Sequence, residues 1–228
     1  MERHFDDELK KLNINLLMIA TLTEEAIHQS IEALKTRNKA LAMAVIERDQ
    51  AIDELENTID EECLELLALY QPMASDLRFI TTGMKISMEL ERIADLAVNI
   101  CQRVLELADK PLLKPLIDIP RLAENSKQMV RKAIDSFVKH DLELAKDVIL
   151  SDKLSNELRT NIMHELIEEF MMRDNTTISR GIALLLVTRD LERISDRAAS
   201  IAEDVIYMIK AKIVKHHINE FIDNQPLP

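Results

Sequence analysis

Two short acidic segments in this chain are nearly identical. ELERIAD occupies positions 89–95 and DLERISD occupies positions 190–196. A shift of 101 residues places Leu191-Glu192-Arg193-Ile194 on Leu90-Glu91-Arg92-Ile93, and Asp196 on Asp95. A repeat at fixed spacing indicates a duplicated structural unit. The chain is therefore expected to contain two copies of one fold.

The segments that precede these motifs repeat as well. A shift of 103 residues aligns Asp49 with Asp152, Leu55 with Leu158 and Ile59 with Ile162. The change of shift from 103 to 101 predicts a loop two residues shorter before the second motif. Both halves therefore have the same order of segments, with the acidic motif in the last one.

The composition predicts an all-α fold. The chain has 2 Gly, 2 Tyr and no Trp in 228 residues, whereas strands require frequent turns and favour aromatic and β-branched side chains. Good helix formers such as Leu, Ala, Glu and Lys are abundant. Turn residues and prolines divide the chain into six helices, at about 5–36, 39–70, 75–109, 121–139, 142–173 and 178–215. Ser75 or Asp76 is expected to cap the third helix and Asp141 the fifth.

We therefore expect a tandem repeat of two three-helix bundles, with six long antiparallel helices. Residues 1–110 form the first bundle, 111–120 a proline-rich linker, 121–217 the second bundle and 218–228 a C-terminal tail. Apolar residues at alternating spacings of four and three predict the buried seam of each motif helix, as in coiled-coil packing. The seams are Ile86, Leu90, Ile93, Ala97, Ile100, Val104 and Leu107, and Val187, Leu191, Ile194, Ala198, Ile201, Val205 and Met208. The two bundles could lie side by side or end to end.

Several functional classes are disfavoured. A net charge of −12 without a cationic stretch argues against nucleic acid as a partner. The chain has no run of 18 apolar residues, so no transmembrane helix is predicted. The N-terminus lacks the features of a signal peptide. Cys63 and Cys101 are isolated, which favours core residues in a reducing cytosol over a disulfide. No catalytic residue and no cofactor-binding loop is predicted.

The acids of the motifs are candidate metal ligands. Glu91 and Asp95 lie four apart on one helix face, where like charges destabilise a helix unless a cation or a partner compensates them. The second helix offers Asp49 and Asp53, with Glu56 and Asp60 further along. Carboxylates gathered between two helices suit magnesium, manganese, zinc or iron. The alternatives are a solvated face, or ion pairs with Arg92 and Arg193.

The second half offers Asp152, Glu192 and Asp196 as the corresponding ligands, but Asn156 occupies the position of Asp53. One charge is lost, so this site is expected to be weaker or differently occupied. Glu25 and His28 have the Glu-x-x-His spacing of di-iron bundles, but that fold needs two such motifs and the chain has one.

The four segments VIERDQAIDELE, LYQPMASDLRFI, ELERIADLAVNI and RDLERISDRAASIAEDVIY, in this order within a duplicated frame, resemble the PhoU family. The resemblance extends from about Leu12 to His217. It implies a cytoplasmic, dimeric, non-enzymatic regulator of phosphate uptake. Its implied partners are the ATPase subunit of the phosphate ABC transporter and a phosphate sensor histidine kinase, both at the inner membrane. It also implies surface clusters of iron, zinc or similar ions, held by Glu91, Asp95, Glu192 and Asp196, with Asp49, Asp53 and Asp152 as companions.

Two other functions remain open from the residues alone. The acids could activate water for phosphoryl transfer in a metal-dependent enzyme, or the chain could be a helical interaction module without metal. Direct binding of phosphate is disfavoured by the net charge and by the lack of an evident anion nest.

Overall fold

The computed structural model describes residues 2–214, and among these residues it contains six α-helices and no strand. The α-helices are α1 Glu2–Thr36, α2 Lys39–Tyr70, α3 Ala74–Leu107, α4 Asp118–Lys139, α5 Leu142–Glu165 and α6 Ile178–Lys210. A π-helical turn, Leu166–Met171, continues α5, and a 3₁₀ turn, Asn175–Thr177, precedes α6. The predicted all-α fold is confirmed.

Local side-chain chemistry explains where several helices begin and end. The side chain of Asn38 accepts a hydrogen bond from the backbone N–H of Leu41 at 3.0 Å and caps α2. Asp141 caps α5 in the same way through Leu144, at 3.0 Å, as predicted. These side chains satisfy backbone donors that a helix leaves unpaired at its start.

The predicted cap of α3 is wrong. Met73 precedes the helix and makes no side-chain capping bond. Ser75 and Asp76 already lie within the first turn, where the Ser75 hydroxyl donates to the Asp76 carboxylate at 3.3 Å. Neither side chain can therefore reach back to cap the helix.

Other predicted bounds need correction. α4 begins at Asp118, earlier than predicted, because Pro120 falls in the first helical turn, where no N–H donor is needed. α6 ends at Lys210, where Ala211 adopts the left-handed conformation at φ 53°. Its predicted continuation is therefore wrong for 211–214, and residue 215 lies outside the described residues, as do Met1 and the predicted tail.

The two-residue difference between the halves lies in a helix and not in a loop. The connections 71–73 and 172–174 are equally long when the 3₁₀ turn 175–177 is counted with α6, whereas α2 spans 39–70 and α5 with its π-helical turn spans 142–171. The predicted shorter loop is therefore wrong. Sequence spacing alone could not separate a shortened helix from a shortened loop.

Each motif helix buries its predicted seam. In α3, the residues from Ile86 to Val104 on this seam are at most 1% exposed, and Leu107 packs against the core at its edge. In α6, the seam from Val187 to Val205 is fully buried and Met208 is 5% exposed. Burial of these side chains removes apolar surface from water, which is the main stabilising term for such a bundle.

The two bundles, α1–α3 and α4–α6, lie side by side. α3 packs along α6 and α1 packs along α4. Lys85 pairs with Asp204 at 2.8 Å and Glu89 pairs with Arg197 at 2.9 Å, so α3 and α6 run antiparallel. Phe79 of α3 stacks on Phe137 of α4 with ring centroids 5.1 Å apart. The side-by-side arrangement exposes the α2 and α5 flanks of the molecule.

Cys63 and Cys101 are both free and buried, and burial raises the pKa of each thiol to about 12. Thiols with such a pKa are almost wholly protonated at neutral pH and are poor nucleophiles. Each described helix is too polar over a membrane-length stretch to cross a bilayer.

Candidate functional site

Acidic residues of α2 and α3 form a group that we call the first acidic cluster. Its members are Asp49, Asp53 and Glu56 of α2 and Glu91 and Asp95 of α3. Buried neighbours fix their position, since Ile52 of α2 and Ile93 of α3 are at most 3% exposed and point into the bundle. The acids between these apolar residues therefore lie at the rim of the groove between the two helices.

The carboxylates of the first acidic cluster influence one another across the two helices. Burial, followed by the charges of Asp53 and Asp95, raises the pKa of Asp49 to about 6. Burial, followed by Asp95, Asp53 and Glu56, raises the pKa of Glu91. Burial and Asp53 raise the pKa of Asp95. Asp49 and Asp53 of α2 therefore lie near enough to Glu91 and Asp95 of α3 for their charges to influence one another.

Positive charge is scarce around the first acidic cluster. In the part of the chain that the structure describes, none of its five carboxylates forms an ion pair with Lys or Arg. Arg92, the expected competitor, pairs with Glu89 at 3.3 Å and is only the weakest influence on the pKa of Glu91. Like charges are therefore held together with little compensation.

The second acidic cluster consists of Asp152 on α5 and Glu192 and Asp196 on α6. Burial, followed by the charge of Asp196, raises the pKa of Asp152. Burial also raises the pKa of Glu192 and of Asp196. The structure therefore brings the three predicted residues of the second half together as well.

Two side chains of α5 compensate the second acidic cluster. The Asn156 amide donates to the Asp152 carboxylate at 2.8 Å. The Arg159 Nε lies 3.7 Å from the Glu192 carboxylate. Burial raises the pKa of Glu192 and of Asp196, and the charge of Arg159 offsets part of that rise in both. The shift of 103 residues places Arg159 on Glu56 and Asn156 on Asp53. The second acidic cluster thus has an amide and a cation where the first has two carboxylates.

Sequence reasoning overlooked Arg159 although the signal was available. The repeat register that identified Asn156 also places Arg159, three residues further along, at the position equivalent to Glu56. An isolated arginine on a charged helix face has no distinguishing feature. Only the contact with Glu192 gives it a role.

The carboxylates do not converge on one point. Among residues 2–214, no three His, Cys, Asp or Glu side chains are arranged to hold one metal ion. Charged groups shift one another's pKa over longer distances than those of metal coordination. The raised pKa values therefore do not require the carboxylates to meet at one point. Shared coordination requires side-chain rotation that brings the oxygens together, and repulsion between carboxylates opposes that rotation until a cation is present. Metal binding by these residues stays a prediction.

The donor set of the first acidic cluster fits a hard cation. All five groups are carboxylates, and in the adjacent turn of α2 the Asp60 Oδ1 atom is buried without a hydrogen-bond partner. Carboxylate oxygens are the ligands preferred by magnesium and manganese, and zinc and iron also accept them. In the second acidic cluster the Asp152 Oδ1 atom is likewise buried without a hydrogen-bond partner. There, however, the Nε atom of the positively charged Arg159 is also buried without one. The second donor set therefore includes a positive charge.

The Glu25 and His28 pair does not form a di-iron motif. The Glu25 carboxylate accepts a hydrogen bond from Gln29 at 2.6 Å and pairs with Arg48 at 3.5 Å. His28 lines a separate small cavity between α1 and α4.

Two antiparallel three-helix bundles with a repeated acidic motif in the third helix of each define a class of tandem helical-bundle proteins. The PhoU domain family model matches residues 16–104 and 119–205, which include both motifs. The chain therefore belongs to the PhoU family.

Relatives and solved structures agree with this assignment. The chain is 41% identical to the "Phosphate-specific transport system accessory protein PhoU homolog" of Aquifex aeolicus, over 93% of this chain and 96% of that protein. It is 31% identical to the PhoU accessory protein of Escherichia coli, over 93% of this chain and 88% of that protein. The crystal structure of PhoU from Pseudomonas aeruginosa has a TM-score of 0.88 at 34% identity, covering 91% of this chain and all of that one.

Proposed function

We propose that this protein is an accessory regulator of phosphate transport. The observation that supports it most directly is the match of the PhoU domain to both repeats. Relatives aligned over nearly the whole chain have names that describe accessory proteins of the phosphate-specific transport system. The regulator acts in the cytoplasm and associates peripherally with inner-membrane complexes.

The proposed partners are the ATPase subunit of the phosphate ABC transporter and a phosphate sensor histidine kinase. When phosphate is plentiful, the protein limits uptake and holds starvation signalling off. α1 has 35 residues, which corresponds to a rod of about 50 Å. Exposed apolar residues on it, Ile14 at 59% and Met18 at 50%, lie one turn apart and provide a face for helical partners or for a second copy in a homodimer.

We also propose that the first acidic cluster binds divalent metal ions. Asp49, Asp53, Glu91 and Asp95 would hold the metal, which would neutralise their repulsion and join α2 to α3. Glu56 contributes further negative charge beside them. A metal regulates the protein only if it binds two conformations with different affinity. If it binds them equally, its role is purely structural.

The adaptor role requires no catalysis. A phosphoryl-transfer enzyme needs its metal in a cavity that can enclose a phosphate ester. The cavity that Asp49 lines lies between α1 and α2, does not include Glu91 or Asp95, and has a volume of about 30 Å³, which is the space of a water molecule. The larger cavity of about 700 Å³ lies between α3 and α6. Its lining mixes basic and acidic side chains and includes no member of either acidic cluster; the charged residues are Lys85, Arg92, Arg197, Glu89, Glu203 and Asp204. These observations favour an adaptor.

Affinity capture tests the partner assignment. The full chain, immobilised without a histidine tag, is incubated with the purified transporter ATPase subunit and with the cytoplasmic part of the sensor kinase. Retention of at least one of them supports the adaptor role, and retention of neither contradicts it. The double variant Ile14→Asp/Met18→Asp tests the α1 face, with Lys10→Glu on the same helix as the matched surface control.

Metal content tests the second part of the proposal. The untagged protein is dialysed against MnCl₂, then against buffer, and its manganese is measured by mass spectrometry. The wild type should retain metal and the variant Glu91→Ala/Asp95→Ala should retain less. If both retain the same amount, the assignment of the first acidic cluster is wrong. If neither retains metal while a partner still binds, the protein is a metal-free interaction module.

A further inference from the structure

The two acidic clusters occupy equivalent places in the two repeats, but their charges differ. The first has five carboxylates and no ion-paired cation among the residues that the structure describes. The second has three carboxylates, and the remaining two positions of the repeat contain Asn156 and Arg159. Both exchanges fall on α5, while the α6 side retains its Glu-x-x-x-Asp pair.

The contacts of these two residues are directed at the acids. The Asn156 amide donates at 2.8 Å to one oxygen of Asp152. The Arg159 guanidinium lies beside Glu192 at 3.7 Å, with the two side chains 34% and 15% exposed. A half-buried guanidinium next to carboxylates reduces their mutual repulsion in the manner of a bound cation.

The positive charge of Arg159 cannot be removed by titration. Arginine stays protonated throughout the accessible pH range. A divalent ion entering the second acidic cluster would have to displace Arg159 from Glu192 or accept its repulsion at close range. It would also find one oxygen of Asp152 already engaged by Asn156. A divalent ion exchanges hydration for ligand charge, so a cluster with less negative charge binds it more weakly.

We propose that Arg159 is the resident cation of the second acidic cluster and that it excludes divalent metal ions from that cluster. Metal binding by this protein is then one-sided, confined to the bundle of α1–α3. The inference extends the proposed metal binding of the first acidic cluster. The metals concerned are those with a preference for carboxylate oxygens, with Mn²⁺ as the probe.

The test restores the acids of the first repeat to the second. The full chain without a histidine tag is prepared as wild type and as Asn156→Asp/Arg159→Glu. Each is stripped with chelator and equilibrated by dialysis over a range of MnCl₂ concentrations. Bound manganese per chain is measured by mass spectrometry, and circular dichroism checks folding. The double variant should bind about twice as much Mn²⁺ at saturation as the wild type.

Matched variants separate charge from side-chain shape. Arg159→Lys retains the positive charge and should leave Mn²⁺ binding at the wild-type level. Arg159→Gln removes the charge with a small structural change and should give a measurable gain, which covers the case in which the double variant does not fold. Glu192→Ala/Asp196→Ala in the wild-type background should leave the bound manganese unchanged.

The outcomes distinguish this inference from the proposed function. A gain in Asn156→Asp/Arg159→Glu or in Arg159→Gln, without a gain in Arg159→Lys, supports the inference, whether or not the wild type binds Mn²⁺. A wild type that binds none contradicts metal binding by the first acidic cluster. If Asn156→Asp/Arg159→Glu and Arg159→Gln fold and show no gain, or if Glu192→Ala/Asp196→Ala lowers the bound manganese, the proposed role of Arg159 is wrong.

Discussion

Glu89 of α3 and Arg197 of α6 form an ion pair between the two bundles, with Oε2 and Nη1 2.9 Å apart. The Glu89 side chain is only 12% exposed and also pairs with Arg92 of its own helix at 3.3 Å. The contact therefore joins the two copies of the repeat immediately beside the acidic motifs. It also gives Glu89 a structural role that its neighbour Glu91 does not have.

Removal of this inter-bundle contact should destabilise the protein. Arg197→Gln leaves a mostly buried carboxylate with one partner fewer, which costs about 1–2 kcal/mol. Arg92→Gln is the matched control, because Arg92 is 44% exposed and an exposed pair within one helix contributes less than about 0.5 kcal/mol. Urea unfolding followed by circular dichroism measures both. An equal loss in the free energy of unfolding in both variants would show that the inter-bundle pair stabilises the protein no more than the pair within α3.

Asp190 of α6 should make stability depend on pH. It is 3% exposed, and its Oδ1 atom lies 3.5 Å from Nη2 of Arg189, too far for a hydrogen bond. Burial raises its pKa, and the charge of Arg189 offsets only part of this rise. The folded state therefore binds the proton more tightly than the unfolded state. The contribution of this group to stability is largest at low pH and decreases as the pH rises through the folded pKa.

Asp190→Asn removes this dependence if the amide is accommodated. The urea midpoint of the variant, relative to wild type, should therefore be higher at pH 8 than at pH 5. Asp109→Asn is a suitable control, because this side chain is 80% exposed. A relative midpoint that is unchanged or lower at pH 8 would contradict the assignment of Asp190 as a strained buried acid.

The first acidic cluster should show the same sign of pH dependence in metal-free protein. The pKa of Asp49 is raised to about 6 and those of Glu91 and Asp95 are raised as well. Stability should therefore fall as the pH rises from about 4 through about 6. Asp49→Asn should stabilise the chelator-treated protein at pH 7.5 by about 1 kcal/mol after solvent screening. Thermal unfolding with chelator, compared between pH 5 and pH 7.5, measures this effect, and a stability that rises over that interval would contradict it.

Gly181 of α6 should not tolerate a larger side chain. A Cβ atom there would lie 2.6 Å from Cγ of Met171, in the π-helical turn that continues α5. Gly181→Ala should therefore cost about 1–3 kcal/mol through overpacking. Met171→Ala in the same chain should recover part of that loss, because it removes the atoms that clash.

Gly83→Ala is the control for this substitution. Its Cβ atom would approach only the end of the Leu16 side chain, at 3.0 Å, and alanine favours a helix over glycine by up to about 1 kcal/mol. Its effect should be smaller than that of Gly181→Ala. If the two variants lose the same stability, the close approach at Met171 is not the cause.

The sequence predicted the fold well where repeated physical constraints agree. The seam from Ile86 to Val104 followed from spacing alone, because apolar residues spaced four and three apart lie on one face of a helix. The caps show the contrast. Asp141 was assigned correctly, but Ser75 and Asp76 were not, since a one-residue change in the start of a helix moves both side chains into its first turn.

The sequence allowed us to predict which acids of α2 and α3 lie near one another, but not which of them a positive charge compensates. The repeat register brought Asp49 and Asp95 together in advance, and the structure places them within mutual influence. Whether an arginine compensates an acid depends on which way its long side chain extends. Arg92 and Arg159 look alike in sequence, yet one contacts Glu89 and the other Glu192.

The most direct test of the proposed function is phosphate uptake in the organism that encodes this chain. Its gene is deleted and then restored as wild type or as Glu91→Ala/Asp95→Ala, with labelled phosphate uptake and a phosphate-starvation reporter measured in phosphate-rich medium. We predict that deletion raises uptake and reporter expression, that the wild type restores both to their original level, and that the variant restores them less fully. Unchanged uptake and reporter expression after deletion would contradict the proposed regulation of phosphate transport.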